Sequence, residues 1–364
     1  MGIRIRNQTI SYPTLLLAGV LVVLSATVLV AMSTSATAFG FYNADWDGAS
    51  GLRNTANAAG AESTIVLNTS TYDSTAANQS ISIVLSPDEP YTDSEQERLE
   101  EYVRRGGTIV IAEDFGSQGN RLLRGVGASA RFDGALLRDE RNYYRSPAFP
   151  IATNISTSPR TDGVSQLTLN YGTTIRNETI GNATVLARSS EFAYLDRNRN
   201  DALDTNESLE RRPIVVQERV GSGSVIAVSD PSLFINTMLE RPGNRAFVSL
   251  LFADHKRVLL DYSHHSGRPP LIVGLLILQD TPLLQALVGI GGIVAVFAVS
   301  EARNRRHLID QWVSGSEATE DPTPVDNDAL RVWLFNQHPD WDADRVTRIT
   351  AGILSRDSHN DDNE

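Results

Sequence analysis

The sequence predicts an open, mainly parallel α/β domain flanked by two transmembrane helices, with a small helical unit near its carboxyl end. Three observations lead there. Short β-branched runs alternate with polar helical segments between residues 63 and 114. Two long uncharged runs, 15–38 and 282–299, bracket the middle of the chain. Apolar residues then recur at helical spacing between 328 and 356.

The first run, LLLAGVLVVLSATVLVAMSTSATA, is long enough to cross a hydrocarbon core of about 30 Å. Arg4 and Arg6 precede it. Ala36–Ala38 also fit a small-residue cleavage site, so an anchored and a cleaved first segment both stay open. The second run starts with Thr281 as cap and Pro282 at the first helical position, and Arg303, Arg305 and Arg306 follow it. Basic residues outside both runs place residues 1–14 and the tail in the cytoplasm and residues 39–268 outside it. Between them, 269–281 reads as an interfacial segment, because Asp280 in mid-membrane would cost about 3 kcal/mol. Asn-x-Ser/Thr acceptors at Asn68, Asn78, Asn154, Asn177, Asn182 and Asn206 all fall in 39–268 and are glycosylation candidates.

Within that region, STIVLN (63–68), SISIVLSP (80–87) and GTIVIAED (107–114) read as strands covered on both faces. TDSEQERLEEYVRRGG between the last two is a helix capped by Thr92 or Asp93, with Leu99 and Val103 facing inward and Gly106–Gly107 closing it. Strand, helix, strand at this spacing is a parallel crossover. WDGASGLRNTANAAG supplies an earlier helix. Later, RPIVVQERVGSGSVIAVSD reads as two strands turning at Gly221 and Gly223, and a helix starting at Asp230–Ser232 is expected to run into the amphipathic stretch 244–253.

The chain has no cysteine, which removes disulfides, thiol nucleophiles and thiolate metal sites. Its net charge is -12 and Lys256 is the only lysine. This usage is similar to that of haloarchaeal proteins, whose acidic surfaces stay hydrated in salt that shortens the Debye length to roughly 3 Å. The arginines are scattered among carboxylates and form no basic stripe, so nucleic acid is excluded as a partner.

LSPDEPYTDSEQERLEEYVRRGGTIVIAED, GSGSVIAVSDPSLFIN and the tail segment HPDWDADRV, with the two apolar runs, resemble haloarchaeal members of the membrane family labelled domain of unknown function four-three-five-zero. The resemblance implies a sheet similar to that of class I glutamine amidotransferases, and it implies association with a MoxR-type ATPase system. It implies no activity. Amidotransferases use a cysteine at a strand-to-helix turn, which this chain lacks. Ser117 in EDFGSQGN does not meet the Gly-x-Ser-x-Gly pattern.

Glu113, Asp114 and Asp230 end strands and are candidates for a ligand crevice at the carboxyl edge, where open α/β sheets bind ligands. Asp230 before Pro231 also reads as a helix cap. The segment LDRNRNDALDTNE matches a twelve-residue calcium loop: Asp196, Asn198 and Asn200 as side-chain ligands, Ala202 through its carbonyl, Asp204 through water and Glu207 as the bidentate ligand. Leu203 would anchor it by packing inward, and Asp201 occupies the position that usually holds glycine. A polar Asn/Asp turn is the competing reading. Structural Ca2+ is the only cofactor expected.

In the tail, a basic patch and acidic linker (300–327) precede Leu330, Trp333, Leu334, Val346, Ile349 and Ile353, which form the stripes of a helical hairpin (328–356); residues 357–364 read as disordered. The stripes either pair with each other or dock on a cytoplasmic partner. The expectation is a non-enzymatic, two-pass cell-membrane protein that contacts lipid, envelope proteins outside and an ATPase machine inside. The alternatives are a carboxylate-based extracellular hydrolase and an accessory subunit of a transport complex.

Overall fold

In the computed structural model the described residues are 2–5, 8–281, 284–287, 290–294, 297, 327–338 and 341–357. They divide into two units, Met1–Asp280 and Thr281–Glu364.

The first unit begins with an antiparallel pair, Gly2–Ile5 (β1) and Gln8–Ser11 (β2), followed by the helix Tyr12–Ser33 (α1). Leu17, Val22 and Val30 of α1 are exposed. Among the described residues no helix is long and apolar enough to cross a membrane. Side chains at 14, 15 and 18, much of 282–299, and Arg303, Arg305 and Arg306 lie outside the described residues. Helix α1 covers most of the first expected run, and much of the second lies outside the described residues.

Along the chain follow the strands Glu62–Val66 (β3), Ser80–Leu85 (β4), Thr108–Ala112 (β5), Leu136–Asp139 (β6), Ile151–Ala152 (β7), Asn154–Ile155 (β8), Leu167–Thr168 (β9), Thr184–Arg188 (β10), Ala193–Asp196 (β11), Pro213–Val220 (β12), Gly223–Val228 (β13) and Arg257–Asp261 (β14). The helices are Gly51–Ala58 (α2), Thr71–Ser74 (α3), Asp93–Arg104 (α4), Gln118–Gly125 (α5), Pro242–Ala253 (α6) and Pro270–Asp280 (α7). The main sheet has the order β3-β14-β4-β5-β13-β12-β10-β8. Its first five strands are mutually parallel, and β12, β10 and β8 each pair antiparallel with the strand before them in that order. The expected open, mainly parallel α/β sheet is present, with an antiparallel extension.

Alternation along the parallel strands sorts side chains to two faces, and both are buried. Ile81, Ile83, Val110, Ile226, Val258 and Leu260 belong to one apolar cluster, and Val84, Ile109, Ile111, Val225 and Leu259 to the other. Helices α2 and α6 contribute Leu52, Phe247 and Leu251 to the first cluster, while α4 and α5 contribute Leu99, Val103, Leu122 and Leu123 to the second. Helix α4 starts as its sequence requires: the Thr92 amide donates to Glu95 Oε2 at 2.9 Å in a capping box.

Two sequence expectations are corrected here. The segment after β13 is not one helix. Short 3-10 turns at Pro231–Phe234 and Met238–Glu240 come first, and α6 starts separately because Pro242, which lacks an amide donor, fits the first helical position. Strand β14, which the sequence reading did not single out, lies inside the sheet between β3 and β4.

In the second unit are the helices Asn327–Gln337 (α8) and Ala343–Asp357 (α9), with Leu334, Val346 and Thr350 buried. Trp333 does not join that stripe and is 57% exposed. Side chains at 330 and 353 lie outside the described residues.

Candidate functional site

Glu113 follows β5 directly and is fully buried. Its Oε1 accepts from Ser86 Oγ at 2.9 Å and from the amides of Asp114 and Gly116 at 3.2 Å, and its Oε2 accepts from the Gly119 amide at 3.3 Å. Glycine is required for this approach. A Cβ at 116 would lie 2.5 Å from Oε2, and one at 119 would lie 2.7 Å from the Cβ of Glu113. Burial pushes the Glu113 carboxyl above its ordinary range, with the Ser86 hydroxyl opposing it and the Asp114 charge adding to it.

Asp230, two residues past β13, is also fully buried. Its Oδ2 accepts the Asn170 amide at 2.6 Å and its Oδ1 the Ser232 amide at 2.7 Å, so it caps the 3-10 turn as expected. Burial outweighs these donors and raises its pKa to about 7, and Asp114 contributes in the same direction. Asp114 is half-buried. Its carboxyl is raised by burial and lowered by the Phe115 amide and by Arg199. Because β5 and β13 are adjacent and parallel, the three acids gather at one carboxyl edge, and the charge of Asp114 reaches both others.

A second polar network ends β14. Tyr72 Oη donates to Asp261 Oδ2 at 2.6 Å and Ser263 Oγ to Asp261 Oδ1 at 2.6 Å. Ser263 also lies 2.8 Å from His264 Nδ1, and His264 Nε2 lies 3.2 Å from Glu95 Oε2. This has the composition of a serine triad without its geometry: the hydroxyl proton is committed to Asp261 and the serine is buried. Among the described residues Ser117 forms no side-chain hydrogen bond with a histidine, and His264 lies at the end of β14. His255 contacts Thr108 Oγ1 at 3.3 Å, at the opposite end of β5.

The loop after β11 closes on itself. Asp196, buried at the end of that strand, accepts the amides of Asn200 at 3.1 Å and Asp201 at 3.0 Å. Asn198 and Asn200 donate their side-chain amides to Asp204 Oδ2 at 2.7 and 3.1 Å. Glu207 accepts the amides of Arg197 at 2.9 Å and Asp204 at 3.2 Å, and the Ala202 amide donates to Asn200 Oδ1 at 3.0 Å. Asp201 holds φ 62, the left-handed conformation demanded at the sixth position of a calcium loop. Leu203 does not anchor the loop, being 45% exposed. Arginines fasten it instead: Arg138 pairs with Asp201, and Arg197 with Asp133 at 3.1 Å. Among the described residues no three His, Asp or Glu side chains form a group able to hold a metal ion.

Beyond Asp230 opens a cavity of about 560 Å³ whose lining includes Trp46, Tyr144, Arg145, Asn170, Tyr171 and Arg241. The sequence reading missed it. Its residues come from four separated segments, around 46, 144–149, 170–171 and 237–241, with no common spacing, and tryptophan and tyrosine in turn segments are the local signal. The sequon asparagines Asn68, Asn78, Asn154, Asn177, Asn182 and Asn206 are each exposed.

The chain matches, over residues 42–252, the family model described as Domain of unknown function (DUF4350), and it belongs to that family. No curated protein matches it in sequence. Among solved structures it is similar to the mmIFT52 N-terminal domain, at 15% identity and TM-score 0.40 over 51% of this chain and 80% of that one. It is also similar to the cytoplasmic protein STM1381 from Salmonella typhimurium LT2, at 12% identity and TM-score 0.36 over 57% and 87%. A third likeness is to the exo-beta-1,4-mannosidase Op5Man5 from Opitutaceae bacterium strain TAV5, at 15% identity and TM-score 0.27 over 48% of this chain and 25% of that chain. At these scores none bears on activity.

Proposed function

We propose that this chain is a non-catalytic binding or scaffold protein of a haloarchaeal cell envelope, anchored by the runs 15–38 and 282–299 with its amidotransferase-like domain outside. One observation carries the binding reading. The buried acids at the carboxyl edge are occupied as structural acceptors, Glu113 by three amides and a hydroxyl and Asp230 by two amides, while an open cavity is lined by Asn170, whose amide Asp230 holds. A general acid or nucleophile needs a carboxylate free to meet substrate. Exposure of all six sequons is compatible with glycosylation of that domain, and the left-handed turn at Asp201 favours structural Ca2+ in the loop.

The tail reaches a cytoplasmic partner in this reading, a MoxR-type ATPase system by family resemblance. Exposed Val332 and Trp333 on α8 support docking over internal pairing. The test is crosslinking mass spectrometry on the full-length chain in native membranes against a variant truncated after Arg306. An ATPase complex recovered only with the tail supports the adaptor role; the same partners from both removes it. The hydrolase reading keeps one supporting observation, the buried Asp230, whose pKa burial and the charge of Asp114 raise to about 7.

A further inference from the structure

We infer that the cavity beside Asp230 is a binding site for an acidic saccharide, a pyranose carrying a carboxylate. The inference rests on the binding reading above and names the ligand class of that edge.

The first argument is charge. The chain carries 44 acidic and 32 basic residues other than histidine, yet the cavity lining contains Arg145 and Arg241 and no Asp or Glu. Neither arginine forms an ion pair among the described residues. Both guanidinium groups lie over the ring of Tyr144, at 5.1 and 4.1 Å from its centroid. Stacking uses the face of a guanidinium and leaves its in-plane donors for a carboxylate. The Nε of Arg241 is buried and has no hydrogen-bond partner. Helix α6 begins at the next residue, so its positive end adds to the field.

The second argument is the aromatic surface. Trp46 is 67% and Tyr171 50% exposed at the cavity. Tyr171 holds φ 55, a left-handed conformation that is unfavourable for a non-glycine residue, and its amide donates to the Ala148 carbonyl at 3.0 Å. Its ring meets Phe149 edge-on at 5.2 Å. Strain is thus spent on presenting an open ring face. Flat apolar faces suit the C–H face of a pyranose, and the side chains of Asn170 and Thr237 in the same lining suit its hydroxyls. A pyranose with a carboxylate uses both halves of the site. No glycine is among the lining residues that would cradle a phosphate.

The test is calorimetry on the full chain with trigalacturonic acid, a neutral galactose trimer and adenosine monophosphate as probes, followed by chromatography of the recovered probe. Saturable binding of trigalacturonate, at least about tenfold tighter than the neutral trimer, is expected, with a loss of about tenfold in each of Arg145→Gln and Arg241→Gln. Trp46→Ala, at an exposed side chain that leaves the core intact, should weaken both sugars. Equal affinity for both trimers, no binding of trigalacturonate, or tighter binding of the nucleotide overturns the ligand class and leaves the non-catalytic reading standing. Cleavage of trigalacturonate by the bound chain confirms the ligand class and overturns the non-catalytic reading instead.

Discussion

The guanidinium of Arg199 lies 4.6 Å from the ring centroid of Phe115, which joins the polar loop after β11 to the turn after β5. Burial raises the carboxyl of Asp114, between Glu113 and that ring, and the same arginine opposes the rise. The loop and the carboxylate edge, which are separate features in the sequence, are therefore one structural neighbourhood.

Cutting that link should loosen the loop without unfolding the sheet. Phe115→Ala is expected to cost about 0.5–1 kcal/mol of global stability and to speed hydrogen exchange at residues 197–203 selectively. Unchanged exchange there would mean that the contact holds nothing in place.

If the loop takes calcium, millimolar calcium should raise the Tm of the protein, and Glu207→Gln should abolish the rise. Its affinity should be weak, with a Kd on the order of 10⁻⁴ to 10⁻³ M, the range of extracellular calcium modules. A melt insensitive to calcium leaves the polar turn, already satisfied by its own amides, as the whole explanation of the motif.

Asp230 sets a pH dependence whose sign is defined. Its folded pKa of about 7 lies above the ordinary 3.8. Between those values the folded state holds a proton that the unfolded state has lost, so stability is full below about pH 4, falls as pH rises, and levels off above about 7. At about 1.4 kcal/mol per pH unit the contribution is on the order of 4 kcal/mol. Denaturant unfolding of the wild type and Asp230→Asn at pH 4 and 8 should give a stability difference that moves in favour of the variant as pH rises. A difference constant with pH would show that Asp230 titrates normally.

Leu260, fully buried on β14, should be among the costly core positions. Leu260→Ala is expected to lose about 2–5 kcal/mol, against a change within about 0.5 kcal/mol for Leu209→Ala, whose side chain is 47% exposed. Comparable losses at the two sites would contradict the central placement of β14.

Local pattern carried much of this fold. Short continuous β-branched runs, the Thr92–Glu95 capping box and the Gly221 turn each encode their element within a few residues, because backbone geometry and hydrogen bonding at that range depend on neighbours in the chain. The mainly parallel α/β class, the helices at 51–58 and 93–104 and the gathering of Glu113, Asp114 and Asp230 at strand ends could all be read that way. The long apolar runs state a hydropathy that only a membrane experiment can place.

Tertiary structure decided what depends on pairing across long separations. RVLLD carries no turn signals that would mark it as a central strand; it is one because β3 and β4 both offer it parallel edges. Leu203 and Trp333 turned outward because other contacts close the loop and the hairpin without them. The aromatic and arginine cavity exists only where the loops bearing Trp46, Tyr144 and Tyr171, and Arg241 meet, and no spacing in one dimension encodes a meeting in three.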